Sequence, residues 1–268
     1  MENKTNCPIC LSDANSHTVV QTPSWRVERC ERCRNAYTIP SPITLNYQSE
    51  SKHILEIDHL DRIDRLPLPH GWRAYITKQV NIIRSLCRPP ARVLDIGCGQ
   101  GILLYQLTSL GYSAVGVEPS MTASAFGRRQ NLEVFQGYFP HRDIHGTFGF
   151  VNCSQVLEHL QDLHGTLSAI EHVAKGGYVM FTQTNYEGWM PRMLGANWYA
   201  WVPEEHFWHF TPAGMRKILE ARGWTFVKVY RSNLIHHGRR GMAVRCAGMV
   251  IPQLRDQFHL VMRVPGTV

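Results

Sequence analysis

The sequence predicts an α/β fold built on a nucleotide-binding β-turn-α unit, with a small metal-binding module ahead of it. Three observations carry this expectation. Residues 91–101 pass from a short apolar run into a glycine-rich turn and then into a stretch of helical periodicity. A second apolar run, 113–118, ends in a carboxylate, Glu118. Four cysteines near the N terminus form two Cys-x2-Cys pairs.

The cysteine module comes first along the chain. Cys7-Pro-Ile-Cys10 and Cys30-Glu-Arg-Cys33 are separated by 19 residues, a spacing at which two tight turns can present four thiolates at the corners of a tetrahedron. Zn²⁺ is the expected occupant, and four protein ligands close its shell, so the ion is expected to be structural. Arg26, Arg29, Arg32 and Arg34 surround the knuckles but are interrupted by Glu28 and Glu31, which reads as a mixed-charge surface before it reads as a nucleic-acid contact. Ile39-Pro40-Ser41-Pro42 cannot be helical, and the module boundary is expected near residue 45, giving domains 1–45 and 46–268.

Composition sets the outer limits. A chain of 268 residues that is 44% hydrophobic and 18% charged is neither disordered nor collagen-like, and it has material for a sizeable core. The first residues, MENKTNCPIC, lack the apolar region of a signal peptide, and no run of eighteen apolar residues occurs, so a cytoplasmic protein with no membrane partner is expected. The net charge of +7 favours an anionic partner without gathering into one block.

In the main domain, Trp72, Tyr75, Ile76, Val80, Ile83 and Leu86 recur at helical spacing until Pro89-Pro90. The strand, glycine turn and helix of residues 91–110 follow, the helix carrying Leu103, Leu104, Leu107 and Leu110 on one face. Gly97 and Gly99 have no Cβ, so the backbone can approach a ligand closely. Glu118 ends its strand where a carboxylate can accept both hydroxyls of a ribose. The spacing is Gly-x-Gly-x-Gly rather than the Gly-x-Gly-x-x-Gly of a nicotinamide site, and Asp95 stands two residues before the first glycine.

Val93-Leu-Asp-Ile-Gly-Cys-Gly-Gln-Gly101, with Leu157-Glu-His-Leu160 and Lys175-Gly-Gly177 in the expected order, closely resembles the motifs of class I S-adenosylmethionine-dependent methyltransferases over about residues 70–250. The resemblance implies a Rossmann-like, seven-stranded, mostly parallel sheet with helices on both faces, one strand being antiparallel. It places Gly97 and Gly99 against the methionine moiety, Asp95 near its amino group and Glu118 on the ribose, and adds Gln100 and Pro119 as cofactor-binding residues. Ser154 and Gln155 would line the cofactor beside the reacting methyl. The segment Gln155–His159 resembles the ubiquinone-pathway O-methyltransferases, whose matching stretch begins with Glu and can hold a divalent cation. Gln155 replaces that acid, so no catalytic metal is expected.

Residues 184–210 form an aromatic insertion: eight aromatics fall within 186–210, including four of the seven tryptophans. The resemblance makes it a cover over the substrate, and a small satellite core is the alternative use of the same rings. Thr211-Pro212 reads as a helix start. Strands are then expected at 224–231 and 241–247, with His236–Arg240 between them. The base candidates are His206 and His159, followed by His209, Glu158 and Tyr186. The expected activity is methyl transfer from S-adenosylmethionine to a small-molecule hydroxyl. RNA methylation, with the zinc module gripping RNA, is the alternative.

Overall fold

A computed structural model describes residues 5–42, 62–65, 68, 70–232 and 256–266. In chain order it contains β1 (Thr5–Asn6), β2 (Asp13–Ala14), β3 (Ser16–Gln21), β4 (Arg26–Cys30), β5 (Ala36–Ile39), α1 (His70–Leu86), β6 (Arg92–Ile96), α2 (Ile102–Ser109), β7 (Ser113–Glu118), α3 (Met121–Arg129) and β8 (Glu133–Gln136). There follow β9 (Phe150–Ser154), α4 (Leu163–Val173), β10 (Tyr178–Thr184), α5 (Trp189–Leu194), β11 (Trp208–His209), α6 (Pro212–Glu220), β12 (Thr225–Ser232) and β13 (Gln257–Arg263). None of the described helices is long and apolar enough to cross a membrane.

The main sheet has seven strands in the order β12-β13-β10-β9-β6-β7-β8. β6 pairs in parallel with β7 and β9, and β7 with β8, whereas β12 and β13 are antiparallel. Parallel strands need covered faces, and the composition supplies them: β6, β7 and β9 bury Val93, Leu94, Val115, Val117, Phe150 and Val151. The order reverses around β6, the first strand of the sheet in sequence. Such a switch point opens a crevice at the carboxyl ends of the strands.

The expected elements that fall within the described residues are observed, and β13 joins them. Helix α1, strands β6 to β10 and β12, and the N-cap of α6 match, with Thr211 Oγ1 accepting from the Gly214 amide at 2.9 Å. The strand expected at 241–247 lies outside the described residues, as does His236–Arg240. The seventh strand of the sheet is β13. It is buried on both faces, and its His259 lies between Thr182 Oγ1 at 2.8 Å and Ser232 Oγ at 2.9 Å.

The chain divides into two compact units, one made of residues 1–45, 155–165 and 181–263, the other of 46–154, 166–180 and 264–268. The first unit differs from the expected partition, because the cysteine module does not stand alone. Its sheet has the order β11-β5-β4-β3, the fourth strand coming from the aromatic insertion, with Trp208 opposite Tyr37 and His209 opposite Ala36. Val27 and Ala36 of the module share a core with Tyr186, Trp198, Ala200 and Trp201, against which Val20, Trp25 and Met190 pack. Burial of Tyr186, Trp198, Trp201, Phe207 and Phe210 accounts for much of the aromatic richness, while residues 192–197 are exposed. Among its large hydrophobic side chains Trp189, Met193, Leu194 and Tyr199 remain exposed.

Candidate active site and cysteine centre

In the second unit the glycine turn joins β6 to α2 with three left-handed residues, Gly97 (φ 70), Gly99 (φ 55) and Gly101 (φ 82). Two of them have distinct reasons to be glycine. A Cβ on Gly101 would stand 2.6 Å from Leu132 Cδ1, so this glycine serves packing. A Cβ on Gly99 would point into open space with nothing within 4 Å, which is the cradle a ligand needs. The turn is tied to the next strand by Gly97 N–H donating to the Val117 carbonyl at 2.8 Å.

Two carboxylates flank that turn. Glu118 accepts from the Gly99 amide through Oε2 (2.9 Å) and from the Ser120 amide through Oε1 (2.8 Å), and burial raises its pKa against the effect of both bonds. Asp95 Oδ1 accepts from Asn152 Nδ2 at 2.7 Å across the β6–β9 pairing. Burial pushes the Asp95 carboxyl up to about 7, with the Asn152 bond opposing and the Glu118 charge adding. At the end of β9, Ser154 Oγ is held by Tyr75 Oη and by Gln79 Nε2, the latter at 3.1 Å, both from α1. Gln100 is buried in the turn, and Pro119 is half-buried between β7 and α3. Sequence reasoning missed Asn152, Tyr75 and Gln79. The periodicity of α1 counted Tyr75 as core and passed over Gln79 one turn on.

In the first unit Gln155 takes a left-handed backbone (φ 54), and its main-chain N and side-chain Nε2 both donate to the Thr182 carbonyl, at 2.9 and 3.1 Å. Beyond it Glu158, His159 and His206 each bring one ligand-type atom to within 4.8 Å of the others. The Glu158 carboxyl accepts from Gln183 Nε2 at 2.7 Å, and burial pushes it up to about 7. The rings of His159 and His206 meet edge to face with centroids 4.6 Å apart. His206 Nδ1 lies 3.0 Å from the Ala200 carbonyl, which can only accept, so Nδ1 carries the proton and Nε2 is the basic nitrogen. Where Gln155 removed one acid from the expected cation set, the insertion thus brings a third ligand-type side chain, His206.

Two weaker base candidates fall away. Burial lowers His209 to about 3, so it is neutral and titrates far below working pH. Tyr186 is pushed well above the ordinary tyrosine range by burial and donates its hydroxyl to the Arg34 carbonyl at 2.8 Å.

The four cysteines of the same unit form the second centre. Cys7 Sγ lies 3.9 Å from Cys33 Sγ and Cys10 Sγ lies 3.8 Å from Cys30 Sγ, and all four lie within 4.8 Å of one another. These separations exclude disulfides, whose sulfurs sit at about 2.05 Å. They match the edge of a tetrahedron with Zn–S bonds of about 2.3 Å, which is roughly 3.8 Å. The knuckles repeat one turn: the fourth residue after the leading cysteine, Leu11 (φ 54) or Arg34 (φ 61), is left-handed, and its amide donates to that cysteine's carbonyl at 2.8 or 2.9 Å.

A parallel sheet with a switch point, an open glycine turn and two buried carboxylates at its rim defines a Rossmann-like nucleotide-cofactor domain. Comparison with known proteins narrows this. A methyltransferase-domain family model matches residues 69–229. The ubiquinone biosynthesis O-methyltransferase of Rhodopseudomonas palustris is 30% identical over 188 residues, 65% of this chain and 67% of that protein. With the enzyme of the same name from Pectobacterium atrosepticum the match spans 118 residues at 30% identity, 40% of this chain and 49% of that protein. Among solved structures, magnesium protoporphyrin IX methyltransferase of Synechocystis with bound S-adenosylhomocysteine superposes with a TM-score of 0.53 at 14% identity, covering 72% of this chain and 83% of that one, a likeness of fold. The chain belongs to the class I S-adenosylmethionine-dependent methyltransferase family.

Proposed function

We propose that the enzyme methylates a hydroxyl of a small molecule such as a sugar, a secondary metabolite or a cell-surface precursor. The observation that carries this reading is the tautomer of His206. Its Nδ1–H bond to Ala200 makes Nε2 a base, beside His159 and the buried Glu158. A hydroxyl acceptor benefits from such a base, whereas a carboxylate acceptor needs none. S-adenosylmethionine supplies an already activated methyl when bound, so the chain's own contribution is to hold the acceptor in line, exclude water and take the proton. The names of the two curated relatives, both O-methyltransferases, support the oxygen.

The residues present fit the cofactor. Asp95 would face its ammonium group, Glu118 its ribose hydroxyls, and Gly97 and Gly99 its methionine part, with Gln100, Pro119 and Ser154 along the same crevice. The four thiolates would hold one structural Zn²⁺. RNA as the acceptor is disfavoured by three of the module's four arginines, which face carboxylates: Arg26 pairs with Glu28 at 3.0 Å, and Arg29 and Arg34 share Glu187 at 2.9 and 3.2 Å. The test is methyl-tritiated S-adenosylmethionine offered with total RNA or with a panel of hydroxylated small molecules. Label is expected as an O-methyl group in a small molecule, and incorporation into RNA overturns the reading.

Two predictions concern the cofactor. Glu118→Ala removes a charge-assisted bond to the ribose and unpins the Gly99 amide, so affinity for S-adenosylhomocysteine is expected to fall by ~1.5–3 kcal/mol. Equal calorimetric affinity of variant and parent would put the ribose elsewhere. The second concerns pH. A carboxyl whose pKa is raised to about 7 is neutral below that pH and cannot counter an ammonium group, so affinity is expected to rise between pH 6 and 8. Glu118 and Cys98 are the titratable groups that couple to Asp95, and burial moves both in the same direction. Asp95→Asn should flatten the profile, and a parent profile already flat would remove Asp95 from the ammonium site.

A further inference from the structure

The acceptor-side histidine is held by the cysteine module. Thr38, on β5, lies with its Oγ1 2.7 Å from the carbonyl oxygen of His206 and 2.9 Å from Nε2 of His209. A hydroxyl has one proton, and a carbonyl oxygen can only accept, so the proton goes to His206 and the Nε2–H of His209 donates to Oγ1. His209 is neutral in its buried position, which makes Nε2–H its single N–H. One side chain therefore fixes both the main chain at His206 and the tautomer at His209. The Thr38 amide adds a bond to the Phe207 carbonyl at 3.1 Å, and Trp208–His209 complete a two-residue pairing with β5. A strand of two residues has no stability of its own, so residues 206–209 take their position from what they bond to: β5 along one edge, and along the other the Glu158 and Leu160 carbonyls, which accept from the Phe207 amide at 2.8 Å and from Trp208 Nε1 at 2.7 Å.

β5 in turn takes its position from the second knuckle. It pairs with β4, which ends at Cys30, and the Cys30 amide donates to the Asn35 carbonyl at 3.0 Å. The knuckle also grips the segments on either side of His206: Tyr186 Oη donates to the Arg34 carbonyl at 2.8 Å, and Lys217 Nζ to the Arg32 carbonyl at 2.6 Å.

We propose that Thr38 is a positioning residue for the acceptor-side base, and that the metal centre acts on the reaction through it: closing the knuckles fixes β5, and β5 fixes the turn that carries His206. The proposal rests on the reading of His206 as the base and of the four thiolates as a zinc site, and its test separates failure of either from its own.

The experiment compares the full chain with Thr38→Val, which keeps the shape and removes the hydroxyl, and with Thr38→Ser, which restores it. Long-range ¹H–¹⁵N spectra of the imidazoles report tautomers directly, with calorimetry of S-adenosylhomocysteine and elemental zinc measured on the same samples. The parent and the serine variant should show His209 as Nε2–H and His206 as Nδ1–H. The valine variant should show both rings as tautomer mixtures, with zinc retained and cofactor affinity within twofold of the parent. With an acceptor in hand, kcat of the valine variant should fall at least tenfold, the KM for S-adenosylmethionine should hold, and serine should restore the rate. Should the valine variant not fold, Thr38→Ala, which removes the same hydroxyl with a smaller side chain, must produce the same change in the imidazole spectra with zinc retained and cofactor affinity unchanged. Parent-like imidazole spectra in the valine variant, failure of serine to rescue, or spectra unaltered by metal removal would each overturn the proposal. Zinc absent from the parent defeats only the metal reading, and full turnover of His206→Ala defeats only the base reading.

Discussion

Replacing His206 by alanine is expected to lower kcat by ~10²–10⁴ while leaving affinity for S-adenosylhomocysteine intact. Asp95, Gly99 and Glu118, the residues proposed to hold the cofactor, lie in the second unit and are bonded to Asn152, Ser120 and, for Gly99 and Glu118, one another, whereas His206 is bonded to Ala200, Val202 and Thr38 in the first. Loss of the imidazole removes the proton acceptor without disturbing those bonds. The main-chain grip of Thr38 and Val202 on residue 206 survives the substitution, so the turn keeps its shape. A fall of less than tenfold, or a loss that appears wholly as weaker cofactor binding, would end the assignment and make a carboxylate acceptor the better reading. His159→Ala serves as the comparison, with a smaller drop expected if its ring mainly braces that of His206 edge to face.

Cys30→Ser is expected to abolish the fold of the cysteine module together with the insertion packed on it. Structural zinc in small Cys-rich modules supplies ~10–16 kcal/mol of apparent folding free energy, as much as the whole of a typical domain's net stability. Cys30 also stands at the end of β4, where its sulfur accepts from the Cys33 amide at 3.5 Å. Elemental analysis of the parent should give one zinc per chain. The variant should lose the metal, lower the melting temperature and move the tryptophan emission to the red, since Trp198 and Trp201 are buried in the core shared with the module. Less than about half an equivalent of zinc in well-folded parent, or a variant that melts with it, defeats the claim.

The parallel half of the main sheet was legible because its signals are local. A glycine turn after an apolar run, a carboxylate at a strand end and a Thr-Pro helix start each declare themselves within a dozen residues. The cysteine cluster was legible for the same reason, its chemistry being written in the spacing. Strand β13 was not. Gln257 and His259 break its apolar run, and what makes them tolerable inside the sheet is Ser232 and Thr182, residues far away in sequence. The insertion was legible in composition and not in purpose, since Trp198 and Trp201 look the same whether they cover a substrate or fill a core. Asn152 and Thr38 were invisible: an amide and a hydroxyl acquire a role only from the Asp95 carboxylate and the His206 carbonyl that the fold brings beside them.

The interleaving of the first unit bears on the order in which the protein can be made. Residues 36–39 leave the ribosome early, but the strand that pairs with their outer edge, 208–209, is synthesised only after the entire central part of the main sheet has emerged. Until then the edge of β5 is an unpaired template, and the rings of Val27 and Ala36's future neighbours do not yet exist. Domains usually fold as they are translated, N-terminal first. Here the first stretch of chain is among the last to be finished, and a cut at residue 45 would release half of a folding unit.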